Sequence, residues 1–170
     1  MKYFIKIFGS LLLVFILFSC GKDADPILEI YISAKKSDLY QNITMEHGKI
    51  EMITGESGGP YIDNYNGLDV NLDLTSDNNI ILAGEVRFSA GIYSGLHAHL
   101  QKIEVFRIEG SKLQHLFYIT DSNKKFGGEF ELVNNTRYRI DFIYDVDKSI
   151  TLLDPEYDFD TVVEIKITQL

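Results

Sequence analysis

His97 and His99 stand two residues apart, and on a strand that spacing sets both imidazoles on one face. Two imidazoles on one face are the beginning of a Zn²⁺ or Cu²⁺ site, which then needs a third ligand and usually a fourth. His115 is the candidate downstream. If Gly110-Ser111 closes a hairpin, however, His115 falls opposite Phe106. That is about seven residues, or roughly 23 Å, along the strand from His99. Two acidic pairs form the other cluster: Asp145 with Asp147, and Asp158 with Asp160. They bracket a segment holding Asp154 and Glu156, and carboxylates spaced by two can feed the six to eight oxygens Ca²⁺ takes. The spacing is not that of an EF-hand loop and no glycine lies inside it, so a solvated acidic loop is the simpler expectation. Glu129 and Glu131 share a strand face turned to solvent, with no apolar neighbourhood to raise a carboxyl pKa. No nucleophile elbow, phosphate-binding loop or HExxH helix is present. The chain reads as non-catalytic and needs no cofactor, with Ca²⁺ at the aspartates or Zn²⁺ at the histidines as the metal alternatives. Tyr61, Tyr65 and Tyr93 fall in expected loops, where aromatic tips can form a recognition surface for a glycan or a protein. Tyr93 sits in a glycine-flanked tip, Gly91 to Gly95.

The sole cysteine has a different context. Lys2 and Lys6 precede an apolar run from Ile7 to Phe18, and Ser19-Cys20-Gly21 follows. The run is too short for a membrane span and has the layout of a secretory signal. Leu17 to Gly21 resembles the lipobox of bacterial lipoproteins. The resemblance implies cleavage before Cys20, acylation of its thiol and a bilayer as partner. One acyl chain gives only reversible binding, so stable anchoring takes the several chains that such processing supplies. With one thiol in the chain, no internal disulfide forms.

Removal of residues 1–19 takes the basic count from 16 to 14 against 25 acidic residues, a formal net charge of −11. Such a surface argues against nucleic acid as a partner and against docking by charge on anionic lipid. Residues 20–26 read as a polar tether. Its acids resemble the tags that route some Gram-negative lipoproteins outward, which implies the outer membrane.

Beyond the tether, period-two alternation recurs, as in Leu68-Val70-Leu72-Leu74, Leu82-Gly84-Val86-Phe88, Tyr138-Ile140-Phe142-Tyr144 and Val163-Ile165-Ile167. Each strand has one apolar face, so the strands must stack in layers. Turns are expected at Ser76 to Asn79, at Glu109 to Lys112 and at His47-Gly48. The last would set Glu46 opposite Lys49 and Met45 opposite Ile50. Residues 55–67 are rich in Gly, Asn, Asp and Tyr and are expected as an exposed loop. The fold class is an all-β, antiparallel Ig-like or prealbumin-like sandwich with an extra N-terminal hairpin. Residues 27–66 are an expected β extension and loop, and 67–170 the sandwich domain.

From Ile80 onward the chain resembles the carboxypeptidase regulatory-like domains of the prealbumin-like fold. Gly84-Glu85-Val86, Ile103 to Phe106, a turn at Thr120-Asp121, Gly128 to Leu132 and Tyr138 to Phe142 carry the resemblance. Leu132, Thr136 and Tyr138 also resemble the tyrosine corner of fibronectin type III domains, in which the hydroxyl bonds back to nearby backbone. Both resemblances imply two packed sheets and no active site. The expectation is a cell-envelope lipoprotein acting as a binding module. The alternatives are a periplasmic metal-binding protein using His97 and His99, or an accessory component of a polysaccharide-processing surface complex.

Overall fold

Alternating apolar residues do what their period requires: they form strands whose inner faces meet in one core. The computed structural model describes residues 23–54, 57–62, 68–153 and 156–170. One sheet has the order β5 (Ile80–Arg87), β1 (Ile27–Ala34), β8 (Arg137–Tyr144), β11 (Val163–Gln169). In it β1 runs antiparallel to β5 and parallel to β8. The second sheet is built on β2 (Tyr40–Thr54), β6 (Gly91–Glu109) and β7 (Lys112–Leu132). Beyond β2, its other edge is shared by β3 (Ser57–Ile62) and β4 (Leu68–Asp73). A one-turn helix α1 (Val146–Ser149) and a small β9–β10 pair (Ile150–Leu153, Glu156–Phe159) lie between β8 and β11. The architecture is an all-β sandwich.

The core lies between the layers. Leu28, Ile30 and Ile32 of β1 and Ile140, Phe142 and Tyr144 of β8 face Ile43, Met45, Ile50 and Met52 of β2 and Leu100, Ile103 and Val105 of β6. Each such aliphatic side chain contributes about 1.5–3 kcal/mol on burial, and deletion leaves a cavity that adds to the loss.

The extra hairpin exists, but not at His47-Gly48. β2 runs through that dipeptide, and a bulge absorbs it: His47 pairs with Leu100 and Ile50 with Ala98. Glu46 therefore faces Lys102 and Asp69, not Lys49. The reason is β6, which is long enough to template all of β2. The hairpin is β2–β3, joined through residues 55–56, so part of the segment expected as a loop is strand. Thr120-Asp121 is likewise no turn, since β7 continues through it. Residues 27–66 are not an extension either. β1 sits between β5 and β8, and β2 lies at the centre of its sheet, so the division at residue 66 cuts through both layers.

One alternation is broken for a visible reason. Ile30 pairs with Gly84 and Tyr31 with Leu82, leaving Ala83 as an extra residue on β5. The bulge reverses the phase, so Ile81 packs against the core while Leu82 is 56% exposed.

The Ser76–Asn79 turn carries the chain from one sheet to the other, and Asn79 locks it. Its buried side chain accepts from the Ala34 amide (3.0 Å) and donates to the carbonyls of Asp73 and Ser76 (3.1 Å each).

Candidate functional site

Hairpin β6–β7 closes at Gly110, whose φ of +61° suits glycine, and Glu109 pairs with Lys112. From that turn the register is regular: Ile108 opposite Leu113, Phe106 opposite His115, Glu104 opposite Phe117. Ile103 and Val105 take the inner phase, so Lys102, Glu104, Phe106 and Ile108 take the outer one. Two phenylalanines thus occupy the phase that alternation reserves for polar residues.

The Phe106 ring stacks on the His115 imidazole with centroids 4.8 Å apart and planes 20° apart. Phe117 is 49% exposed, and the Lys102 ammonium stands 5.5 Å from its ring centroid. Glu104 joins these groups, with Oε1 2.9 Å from Lys102 Nζ and Oε2 3.3 Å from His115 Nε2. The Lys102 hydrogen bond, with a smaller part from His115, holds the Glu104 carboxyl below its ordinary range. Glu104 in turn raises Lys102. A carboxylate held ionised is a poor general acid. What the patch offers is flat ring faces beside fixed charges and acceptors. Thr44 and Asn42 of β2 extend it, in register with Glu104 and Phe106.

The outer face of the other sheet is different. Arg137 binds Glu29 and Glu85 at 2.6 Å each, and Arg139 pairs with Asp141 at 2.6 Å while lying 4.0 Å from the Tyr31 ring centroid. Its charges are paired with one another, and its exposed apolar side chains are the aliphatic Ile80 and Leu82 of β5. Arg137 above all holds Glu29 low.

The residues singled out in the sequence are dispersed. His97 pairs through its backbone with Glu51 and Lys125. His99 Nε2 lies 3.9 Å from the buried Glu51 carboxylate. His115 sits far along the same hairpin, opposite Phe106. Among the described residues no three His, Cys, Asp or Glu side chains gather to hold a metal ion.

The acidic segment is not one exposed loop. Asp145 is buried as the N-cap of α1, with Lys35 and Lys148 Nζ each 3.0 Å from Oδ2. Burial pushes its carboxyl up, but hydrogen bonds from Lys148 and Lys35 outweigh that and leave it below the ordinary range. Asp147 accepts a 2.5 Å hydrogen bond from Ser37 Oγ. Asp158 lies in β10 opposite Thr151, and Asp160 donates its amide to the Ser149 carbonyl at 2.7 Å. Two lysines already occupy the Asp145 oxygen that Ca²⁺ would need.

The tyrosines correct the loop expectation. Tyr93 is on β6, 3% exposed, stacked on Phe130 (5.6 Å) and tilted against Phe88 (5.5 Å). Its hydroxyl donates to the Ser89 carbonyl at 2.7 Å. It is a core residue, so it cannot present a ligand loop. Tyr61 is in β3, paired with Glu51, while Tyr65 and Cys20 lie outside the described residues. At the corner, Leu132 is buried, Thr136 Oγ1 donates to the Asn134 carbonyl (3.3 Å), and the Tyr138 hydroxyl accepts from the Val133 amide (2.9 Å).

The ring patch itself escaped the sequence reading. Its signal was there in the apolar residues Phe106 and Phe117, out of phase with Ile103, Val105 and Leu116. No protein-family model, curated protein or solved structure matches this chain.

Proposed function

We propose that the protein is a non-catalytic cell-envelope lipoprotein, acylated on Cys20, whose sandwich binds a glycan on the outer face of β6–β7. The exposed Phe117 ring and the half-buried Phe106 stacked on exposed His115, beside Glu104 and Lys102, carry this reading. Ring faces stack on the C–H faces of sugars, and neighbouring carboxylates, amides and hydroxyls meet sugar hydroxyls. Exposed apolar side chains grouped on one side of a soluble domain mark an interaction surface. The opposite sheet pairs its charges and exposes only aliphatic Ile80 and Leu82 at its β5 edge, without an exposed ring.

The strand order supports kinship with prealbumin-like rather than fibronectin type III sandwiches. In Ig-type sandwiches the first two strands share a sheet, whereas here β1 and β2 part into opposite sheets. The leader preceding Cys20 supports envelope localisation, with the outer membrane of a Gram-negative bacterium as the site.

The test is titration of wild type and Phe117→Ala with a panel of bacterial envelope oligosaccharides and plant polysaccharide fragments. Expected is a saturable glycan interaction weakened about tenfold or more in the variant, which corresponds to about 1.4 kcal/mol. Equal affinity in both proteins, or no glycan bound, overturns the reading.

A further inference from the structure

The chain enters the sandwich pinned. Ala24 donates its amide to Asn135 Oδ1 (2.8 Å), Asn135 returns its own amide to the Ala24 carbonyl (2.7 Å), and Asn135 Nδ2 donates to Asp23 (3.0 Å). Asn135 has a φ of +62°, a conformation Asn tolerates and β-branched residues do not. Phe88 then donates to the Pro26 carbonyl (3.0 Å) and Ile27 to Thr136 (2.9 Å). Most of the segment read as a tether is therefore part of the domain. Only three peptide steps separate Asp23 from Cys20, and extended chain covers at most about 11 Å over that length.

The same end of the sandwich carries three well-exposed aliphatic side chains. Ile92 is 62% exposed on β6, one residue past the Gly91–Leu132 pair, and Val133, just beyond that pair on the other strand, is 49% exposed. Leu170 is 60% exposed, its amide bonded to the Arg137 carbonyl beside the entry of β1. Asp23, Asp25 and Glu131 accompany them and outnumber Arg87 and Arg137 at this end, which argues against attraction to anionic lipid as the cause.

We infer that this end is a bilayer-contact surface: Ile92, Val133 and Leu170 rest in the headgroup region of a zwitterionic leaflet, set there by the short link to Cys20. The inference builds on the lipid-anchor reading. A link of about 11 Å cannot hold the domain clear of the membrane, so this end meets the interface and the opposite end, with the β6–β7 turn, points away. Such contact buries aliphatic tips at the headgroup boundary without spanning.

The chain contains no tryptophan, so one introduced indole reports alone. Full-length Ile92→Trp and Leu113→Trp proteins, purified from envelopes and checked by mass spectrometry for acylated Cys20, are placed in phosphatidylcholine vesicles with or without brominated acyl chains. Expected is that Ile92→Trp loses most of its emission to bromine and Leu113→Trp keeps it. Adding Asn135→Gly, which keeps the backbone conformation but removes the side-chain clamp, should restore much of the Ile92→Trp emission. Acylated protein with unquenched Ile92→Trp, or with both indoles quenched alike, overturns the contact surface and leaves the anchor standing. An unmodified Cys20 overturns both.

Discussion

Phe106 and His115 lie face to face across the β6–β7 register, 4.8 Å between ring centroids, on the solvent side of the sheet. A cross-strand aromatic pair contributes about 0.2–1 kcal/mol to a sheet. His115→Ala is therefore expected to lower unfolding free energy by less than about 1 kcal/mol while weakening glycan binding severalfold. Urea denaturation and calorimetric titration of one protein batch check this. A stability loss as large as that of a core deletion would show that the pair supports the fold instead.

Tyr93 should behave in the opposite way. Burial, the first cause, and the charge of Asp25 raise its phenol pKa. Tyr93→Ala is expected to cost about 3–5 kcal/mol by analogy with buried aromatic deletions, and Tyr93→Phe about 1 kcal/mol for the lost hydrogen bond to Ser89. Denaturant midpoints measure both. A near-neutral Tyr93→Ala would return this residue to the surface.

Asp145 should shape the acid limb of stability. Its folded carboxyl is lowered, so its contribution is complete above the ordinary aspartate pKa of about 3.9 and fades as pH falls through the folded value. Asp145→Asn should thus differ most from wild type near neutrality and converge with it at the lowest pH. Unfolding free energies across pH 7 to about 2 test the sign. Curves parallel at every pH would refute the role given to Lys35 and Lys148.

Asn79 satisfies one donor and two acceptors at the sheet-to-sheet turn. Asn79→Ala leaves the Ala34 amide unpaired and should cost about 1–3 kcal/mol. Hydrogen exchange at Ala34 should accelerate in parallel. Unchanged exchange would mean that another acceptor takes over.

Short-range geometry was legible in the sequence. The Glu109–Lys112 closure and the position of His115 opposite Phe106 follow from one turn and a period of two, and both are present. The buried phase of β8 was equally readable, because nothing interrupts Tyr138 to Tyr144. Long-range pairing was hidden. Nothing near His47-Gly48 announces that β6 supplies a partner beyond it, so locally the bulge has the signature of a turn. Ala83 is unremarkable in sequence, and only the β1 register makes it the extra residue that turns Leu82 outward. Tyr93 looked like a loop tip between two glycines, yet Gly91 and Gly95 lie within a strand whose tyrosine reaches the core. The lysines that neutralise Asp145 include one 110 residues away, beyond the reach of any local motif.

The side-by-side parallel alignment of β1 with β8 also dictates a timetable. Ile27 is in register with both Arg87 and Arg137, so the first described strand gains one neighbour only after residue 80 and the other only after residue 137. Such distant closures are slow, placing all-β domains of this kind at milliseconds to seconds. A nascent chain stopped before residue 137 lacks the β8 partner along the whole length of this strand.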